Sequence, residues 1–385
     1  MPDGRGFAMA ENGRSGKGDG RRFTVVGGGN AGFGLAGDLA LRGVRVRLFD
    51  LPEFAAALEP VQAAGAIRVR GVRGEGLARL EAVTTDPAEA VAGSELLLVA
   101  VPAYGQEAMA RTLGPHLRPD QMVILMPGSF GGALTFLRVL RDLGIDEVPL
   151  IAECSSFVFA CKKDGPDGVW IRGVKRGLPV AAIPAGDTAR VVAALADFYE
   201  LAPAANVLFT SLNNINHVAH PAQVLMNAGR IEYMGGDWSF DHEGFTPSVG
   251  RVTEAVDAER LAVVKQLGLE PVSLLEWYLR FYGDQGVKGN SLYEVTHTSP
   301  IWGPARAPDS LEHRYLTEDL PYGLAPIAEL GAQLGVAMPV TNSVITLASA
   351  ALGRDLRREG RSLAQVGLAG LDRDAMIRLC ETGRI

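Results

Sequence analysis

The sequence predicts an α/β protein in which an N-terminal doubly wound sheet is followed by an all-α C-terminal domain. From Phe23 to about residue 205, short unbroken apolar runs alternate with helix-like segments, a pattern typical of a parallel sheet covered by helices on both faces. A glycine cluster, "GGGNAG", joins the first apolar run to the first helical segment. From about Val207 onward the chain reads as one helix after another, with few strand candidates.

Composition narrows the class of protein. A chain of 385 residues, 47% hydrophobic and 21% charged, has room for two ordinary globular domains. The net charge of −7 is modest and unclustered, so we expect neither a nucleic-acid nor a membrane partner. Three scattered cysteines fit reduced thiols in a cytoplasm and give no disulfide framework or metal site.

The predicted organisation has three parts. Residues 1–21 are rich in Gly, Arg and Asp and are expected to form a disordered extension. Residues 22–205 form the dinucleotide-binding domain, and residues 206–385 form the helical domain for substrate and catalysis. The sequence is compatible with a homodimer and does not determine the oligomeric state.

Several apolar runs are the expected strands of the first domain. The clearest are "RVRLFD" (45–50), "ELLLVAVP" (95–102), "MVILMPG" (122–128) and "VPLIAEC" (148–154). Two later runs, "GVWIRGVK" (168–175) and "LPVAAIP" (178–184), follow each other so closely that we expect them to be added antiparallel strands.

The glycine cluster has the spacing of a Rossmann dinucleotide fingerprint. Gly27, Gly29 and Gly32 form G-x-G-x-x-G after a strand and at the start of a helix, which predicts a pyrophosphate at the helix N-terminus. Asp50 closes the next strand and would accept hydrogen bonds from the ribose, which favours NAD. NADP stays an alternative because Arg45 and Arg47 are near. The turn residues Asn30 and Ala31 complete the expected cofactor contacts.

Two further loops follow strands at the edge where open α/β sheets bind ligands. They are "VPAYGQEA" (101–108) and "MPGSFGG" (126–132). We expect Pro102 and Gly128 to contact the cofactor, although turn formation alone would also explain both sequences.

Two segments of the helical half carry a family resemblance. "NNINHVAHPAQVLMNAGRIEY" (213–233) and "HRYLTEDLPYGL" (313–324), in order after "GGGNAG", "VPAYG" and "PGSFGG", resemble the octopine/nopaline (opine) dehydrogenase family over nearly the whole chain after residue 22. The resemblance implies a helical domain of the 6-phosphogluconate dehydrogenase C-terminal type. It also implies a nicotinamide-dependent reductive condensation of an amino acid with a 2-oxo acid, with a His and Asp pair and an Arg in that domain.

His220 is the candidate acid–base group. It precedes Pro221, which favours the first turn of a helix, so His220 is expected near the helix N-cap. There the helix end disfavours the imidazolium and a nearby carboxylate favours it, which would hold the group near neutrality. Asp319 is that carboxylate by its family position. His217 is the rival, and a capping or packing role is the alternative for His220.

Arg314 is the candidate anchor for a substrate carboxylate, because its planar fork suits a bidentate grip. Arg314 and Asp319 are five residues apart, so one continuous helix would point them in different directions. We therefore expect a break, which Pro321 and Gly323 would provide. The alternative for Arg314 is a surface ion pair with Glu318.

Two other functions remain open at this stage. One is reduction of a 2-oxo acid or a phosphorylated ketone, as in related two-domain dehydrogenases that typically rely on a catalytic lysine. The helical half holds Lys265 and Lys288, and neither lies in a recognisable motif. The other is a redox sensor that binds NAD(H) without turnover, which would not need the His, Arg and Asp set.

Overall fold

The computed structural model describes residues 20–302 and 305–384. Most of the predicted extension lies outside the described residues, and Arg21 already contacts Glu95 (Nε to Oε2, 3.2 Å). The strands are β1 (Arg22–Val26), β2 (Arg45–Phe49), β3 (Ala66–Gly71), β4 (Gly76–Arg79), β5 (Ala82–Thr84), β6 (Leu96–Val99), β7 (Met122–Leu125), β8 (Leu150–Cys154), β9 (Phe159–Lys163), β10 (Gly168–Val174), β11 (Leu178–Ile183) and β12 (Leu201–Pro203).

The main sheet has eight strands in the order β12-β11-β8-β7-β6-β1-β2-β5. Six neighbouring strands of this sheet, in the order β8-β7-β6-β1-β2-β5, are parallel to one another. The four clearest apolar runs of the sequence all lie in this sheet. β11 pairs antiparallel with β8, as expected for the run at 178–184. The α-helices that accompany the sheet are α1 (Asn30–Leu41), α2 (Ala55–Ala64), α3 (Pro87–Val91), α4 (Gln106–Leu113), α5 (Gly132–Asp142) and α6 (Thr188–Leu195).

A second sheet, of four strands in the order β4-β3-β10-β9, was not predicted. The run at 168–175 does form a strand, β10, but the expectation that it is simply an added antiparallel strand was wrong, because it pairs parallel to β3 and antiparallel to β9. This sheet packs on α1, where Gly34 approaches Cys161 and Gly37 approaches Val69. It therefore covers the helix that opens at the glycine cluster.

Among the described residues, the chain after Pro203 forms helices and loops with one isolated β-bridge. These helices are α7 (Val207–Leu212), α8 (Asn216–Met226), α9 (Ala228–Met234), α10 (Phe240–Gly244), α11 (Pro247–Gln266), α12 (Leu274–Tyr282), α13 (Leu292–Thr298), α14 (Arg314–Thr317), α15 (Ala325–Gln333), α16 (Pro339–Leu352) and α17 (Arg373–Thr382). A π-helical turn, Leu320–Leu324, joins α14 to α15. One apolar core runs from the sheet, at Leu125, into these helices, at Leu212 and Leu320, so the two halves pack on each other. A cleft between them is lined by Tyr104 of the first half and Tyr322 of the second.

Candidate active site

The glycine fingerprint forms the tight turn between β1 and α1. Gly27 has φ +112°, and a Cβ there would lie 2.8 Å from the carbonyl oxygen of Ala100. A Cβ at Gly32 would lie 1.6 Å from the carbonyl oxygen of Gly27, so neither position accepts a side chain. Gly29 faces open space and α1 has no side-chain N-cap. The first amides of this helix are thus available to an anion, as a pyrophosphate requires.

Asn30 and Ala31 open α1 in this turn, as expected for the fingerprint. The Oδ1 atom of Asn30 accepts the backbone N–H of Lys163 (2.8 Å), and its carbonyl oxygen accepts the thiol of Cys161 (3.2 Å). These bonds fasten β9 across the start of α1. The second sheet therefore forms one wall of the cofactor site.

Asp50 follows β2 and turns its carboxylate towards the fingerprint. Its Oδ2 atom accepts the N–H of Gly28 (2.7 Å) and its Oδ1 atom accepts that of Leu51 (2.9 Å), while burial raises the pKa of the group. Arg45 and Arg47, the alternative phosphate binders, each form an ion pair with Glu81. Glu81 also pairs with Arg22, so its single carboxylate is shared by three guanidinium groups and compensates them only in part.

The two loops after β6 and β7 lie beside the helical half. Pro102 precedes a short helical turn, Ala103–Gly105. Gly128 packs on the carboxylate of Glu153, where a Cβ would meet Oε2 at 2.3 Å. Ser129 has φ +56°, an uncommon backbone conformation that costs free energy and clusters at functional sites.

His220 and Asp319 meet in the cleft. The Nδ1 atom of His220 lies 2.8 Å from Oδ2 of Asp319. The imidazole stacks on the ring of Tyr315, with centroids 3.8 Å apart. The side chain of His220 is 21% exposed and that of Asp319 is 7% exposed. The carboxylate thus orients an imidazole that still reaches solvent, the arrangement that acid–base chemistry needs.

The expected helix position of His220 was wrong. α8 begins at Asn216, so His220 lies in its second turn and Pro221 lies inside the helix. The ring of Pro221 replaces one N–H, and the carbonyl of His217 four residues earlier loses that helical partner. Orientation of the imidazole consequently comes from Asp319 and Tyr315 and not from the end of a helix.

The rival His217 is fully buried, and neither ring nitrogen has a hydrogen-bond partner. Burial lowers its pKa to about 4. Gly323 lies so close that a Cβ there would be 2.2 Å from Cγ of His217. This histidine is a neutral packing residue beneath the π-helical turn.

Arg314 begins α14, a single turn that ends at Thr317, before Asp319. A break between Arg314 and Asp319 is therefore present, but the expectation that Pro321 and Gly323 provide it was wrong, because both lie after Asp319 inside the π-helical turn. The Nη2 atom of Arg314 lies 2.9 Å from Oε2 of Glu318, as the ion-pair alternative proposed, yet Glu318 is only 4% exposed. The Oε1 atom of Glu318 accepts the N–H of Ala103 (2.9 Å), so this pair connects the helical half to the loop after β6.

Two buried charges that sequence reasoning missed support the loops. Glu153, at the carboxyl end of β8, accepts bonds from Thr210, Ser211 and the N–H of Ala133, and burial raises its pKa to about 7. Arg361 donates to the carbonyl oxygens of Phe130 and Ala103 and to Gln106. A charged residue in the apolar run "LIAEC" was the available signal for Glu153, whereas nothing near Arg361 in sequence indicated its role.

A nicotinamide-binding sheet domain and a helical domain that brings a His–Asp pair to the same cleft define a two-domain dehydrogenase. The comparisons agree. Residues 203–352 match the family described as NAD/NADP octopine/nopaline dehydrogenase, alpha-helical domain, and residues 23–136 match ketopantoate reductase PanE/ApbA. An opine dehydrogenase of Arthrobacter sp. (strain 1C) is 36% identical over 352 residues, covering 91% of this chain and 96% of the relative.

Solved structures show the same fold. An octopine dehydrogenase in complex with NADH and agmatine superimposes with a TM-score of 0.74 at 21% identity, covering 95% of this chain and 98% of the other. An NADP+-bound yersinopine dehydrogenase gives a TM-score of 0.68 at 18% identity, with 94% and 98% covered. The chain belongs to the opine dehydrogenase family. It is an NAD(P)-dependent oxidoreductase acting on CH–NH bonds, joining an amino acid to a 2-oxo acid.

No helix of the described residues is long and apolar enough to cross a membrane.

Proposed function

We propose that His220, Asp319 and Arg314 carry out this reductive condensation in the cleft, with NADH as the preferred cofactor. The observation that carries the proposal is the His220–Asp319 contact of 2.8 Å on helices that touch both cofactor loops. Phe130, in the loop after β7, donates to the carbonyl of Tyr322 (3.3 Å), and Ala103 donates to Glu318. The loops after β6 and β7 are therefore hydrogen-bonded to the segment that carries Asp319.

The glycine fingerprint fits the cofactor. Gly29 leaves space for the pyrophosphate at the uncapped start of α1, and Asp50 stands where the ribose hydroxyls would be read. Pro102 and Gly128, with Asn30 and Ala31, complete the proposed contacts. When bound, the nicotinamide supplies the hydride that reduces the C=N bond.

Each proton movement is assigned to His220. The lone pair of the amine attacks the carbonyl carbon of the 2-oxo acid while protonated His220 donates its proton to the carbonyl oxygen, which becomes a hydroxyl. His220 then accepts a proton from the nitrogen and donates it to that hydroxyl, so the C–O bond breaks, water leaves and a protonated C=N bond remains. Asp319 stabilises the imidazolium between these steps, and Arg314 holds the carboxylate of the oxo acid.

His217 is not assigned a proton-transfer role. Its imidazole is buried and unpartnered, and its lowered pKa leaves it neutral at the pH where His220 would cycle. We further propose a cytoplasmic enzyme, in keeping with three unpaired cysteines, and a homodimer. Light scattering of the purified protein would test the association state.

The test is a panel of amino acids and 2-oxo acids mixed with the protein and NADH or NADPH. Consumption of the reduced cofactor is followed by absorbance and the product is identified by mass. We expect rapid NADH consumption only when amine and oxo acid are both present, with a secondary amine as product. Consumption with a 2-oxo acid alone, giving a hydroxy acid, would assign the protein to the ketone reductases instead.

A further inference from the structure

The strand β10 contains an irregularity at Arg172. Its register with β9 shifts between Ile171 and Gly173, which places Arg172 in a β-bulge, a device that redirects one side chain and occurs often beside active sites. Gly173 then packs on Gln285 and Ile301 of the helical half. The bulge therefore turns Arg172 towards the junction between the second sheet and the helices.

Arg172 is a guanidinium without a matching carboxylate. Its Nη1 atom reaches the carbonyl oxygen of Ile301 at 3.4 Å, the long end of the hydrogen-bond range. Its Nε atom is buried and has no hydrogen-bond partner. Its guanidinium also stands 5.8 Å from the ring centroid of Trp170. Among the described residues it forms no ion pair, so most of its donors are unused.

Asp241, on α10, is the complementary group. Phe240, its neighbour, stacks on Tyr315 with centroids 5.5 Å apart, and Tyr315 stacks on His220. Asp241 forms no ion pair or hydrogen bond with a described residue. Burial raises its pKa to about 6, and His220 and Arg172 are among the charges that lower it again. Asp241 is therefore a buried carboxylate beside the Phe240–Tyr315–His220 stack, with His220 and Arg172 among the charged groups that act on it.

A guanidinium and a carboxylate that act on each other without forming an ion pair are suited to a zwitterion. We infer that Arg172 and Asp241 bind the amino donor as an α-amino acid, Arg172 taking its carboxylate and Asp241 its ammonium group. A 2-oxo acid has no ammonium group for Asp241 to bind, so we assign it to Arg314. This inference rests on the proposed function and names the amino donor's binding residues.

The product chemistry supports two separate anchors. Joining an α-amino acid to a 2-oxo acid gives a secondary amine with two carboxylates, and a single arginine cannot grip both in a bidentate manner. Arg314 lies on α14 and Arg172 lies on β10, so the two arginines belong to different elements. Tyr315, the residue after Arg314, stacks on His220 and on Phe240, the residue before Asp241. Before attack, the ammonium on Asp241 loses one proton to His220, and the nitrogen lone pair is freed for the carbonyl carbon.

The test compares amines that differ in the carboxylate alone: L-phenylalanine with phenethylamine, L-leucine with isoamylamine, and L-arginine with agmatine. In the unmodified protein we expect kcat/KM to favour the amino acid by about 10- to 150-fold, the range for hydrogen bonds to a charged group. In Arg172→Gln the amino-acid KM should rise by that factor while the value for the bare amine stays unchanged. The preference for the carboxylate would then disappear.

Three further variants complete the experiment. Arg176→Gln changes an exposed arginine four residues along and should leave every constant unchanged. Arg314→Lys should raise the oxo-acid KM instead of the amino-acid KM, because it loses the bidentate fork. Asp241→Asn should weaken amino acids and bare amines alike, since both carry the ammonium.

Several results would overturn the inference. A carboxylate preference that survives in Arg172→Gln would do so, as would a rise in the oxo-acid KM of that variant. Weaker NADH binding in Arg172→Gln would assign the arginine to the cofactor. Calorimetric titration of the amino acid into the protein–NADH complex gives a second readout, and an unchanged Kd in Arg172→Gln also contradicts the assignment. No turnover with any pair would instead contradict the proposed function.

Discussion

At the scale of single residues, the proposed acid–base group is His220. His220 is held by one carboxylate on its Nδ1 side and by one aromatic ring on its face, which leaves the other nitrogen to meet a substrate. Because Asp319 acts through His220, the two residues are expected to behave as a unit. When two residues act together, the losses of activity caused by the two single substitutions do not add in the double variant.

His220→Ala should lower kcat by about 10²- to 10⁴-fold, the usual contribution of a general acid–base group. Asp319→Asn should also lose turnover, and the double variant should be little worse than His220→Ala alone. NADH affinity, measured by fluorescence titration, serves as the control and should stay near normal in all three. Fully additive losses would show that Asp319 acts on something other than His220.

The lowered pKa of His217 should make the free energy of unfolding depend on pH. Its folded-state pKa of about 4 lies below the ordinary value of the unfolded chain, so the unfolded state binds a proton first as the pH falls. The free energy of unfolding should therefore decrease below the unfolded pKa. Between pH 7 and pH 5 this amounts to about 2 kcal/mol from the one group.

The measurement is urea unfolding of the unmodified protein and of His217→Gln at pH 7 and pH 5. Loss of packing should destabilise the variant equally at both pH values, and glutamine has no group that binds a proton in this range. The difference in unfolding free energy between the two proteins should thus shift by about 2 kcal/mol in favour of the variant at pH 5. An unshifted difference would mean that His217 is protonated in the folded protein.

At the scale of elements, we expect the β1–α1 unit and the end of β2 to determine whether NADH or NADPH binds more tightly. The carboxylate of Asp50 adjoins the turn, whereas Arg45 and Arg47 are bound to Glu81. Negative charge near the ribose favours a hydroxyl over a phosphate. We therefore expect NADH to bind more tightly than NADPH.

Asp50→Ala should weaken NADH more than NADPH, so that the ratio of the two dissociation constants moves towards one. Arg45→Gln is the control and should change neither constant, because its partner is Glu81 and not the cofactor. Both are measured by calorimetric titration. Tighter binding of NADPH to the unmodified protein would show that the arginines of β2 determine the choice.

Some elements could be predicted from sequence and others could not. The runs that became β6 and β7 are wholly apolar and β8 carries a single charged residue, Glu153, since each lies between covered faces, whereas β2 alternates two arginines with apolar residues. The second sheet was missed because β4 and β9 are short and carry charged or small residues, so their patterns resemble loops. Pro221 misled the assignment of α8 because a proline in the second helical turn is rarer than one in the first.

At the scale of the whole molecule, the cleft depends on contacts that join distant parts of the chain. Ala103 and Glu318 are separated by 215 residues, and no local pattern reveals such a pair. The family resemblance pointed to His220 and Asp319, whose geometry the structure now provides. The resemblance gave no indication of Glu153 or Arg361, because these residues act on the loops and carry no motif of their own.

Arg361 is where this long-range dependence is expected to be strongest. It is 5% exposed, and burial lowers its pKa to about 10, which leaves it charged at neutral pH. Arg361→Gln removes the hydrogen-bond donors that serve the carbonyl oxygens of Phe130 and Ala103 and the side-chain oxygen of Gln106. A buried acceptor left without a partner costs about 1–3 kcal/mol. Unfolding free energy should fall accordingly in urea titrations.

The same change should also weaken NADH. Both cofactor loops, after β6 and after β7, are bonded to Arg361, so its loss lets them move independently of the helical half, and the Kd for NADH should rise. Arg357→Gln, which removes an exposed bond to Asn342 within the helical half, should alter neither quantity. If Arg361→Gln lost stability while the Kd for NADH stayed the same, the loops would be positioned by the sheet alone, and Arg361 would serve the fold without serving the cofactor site.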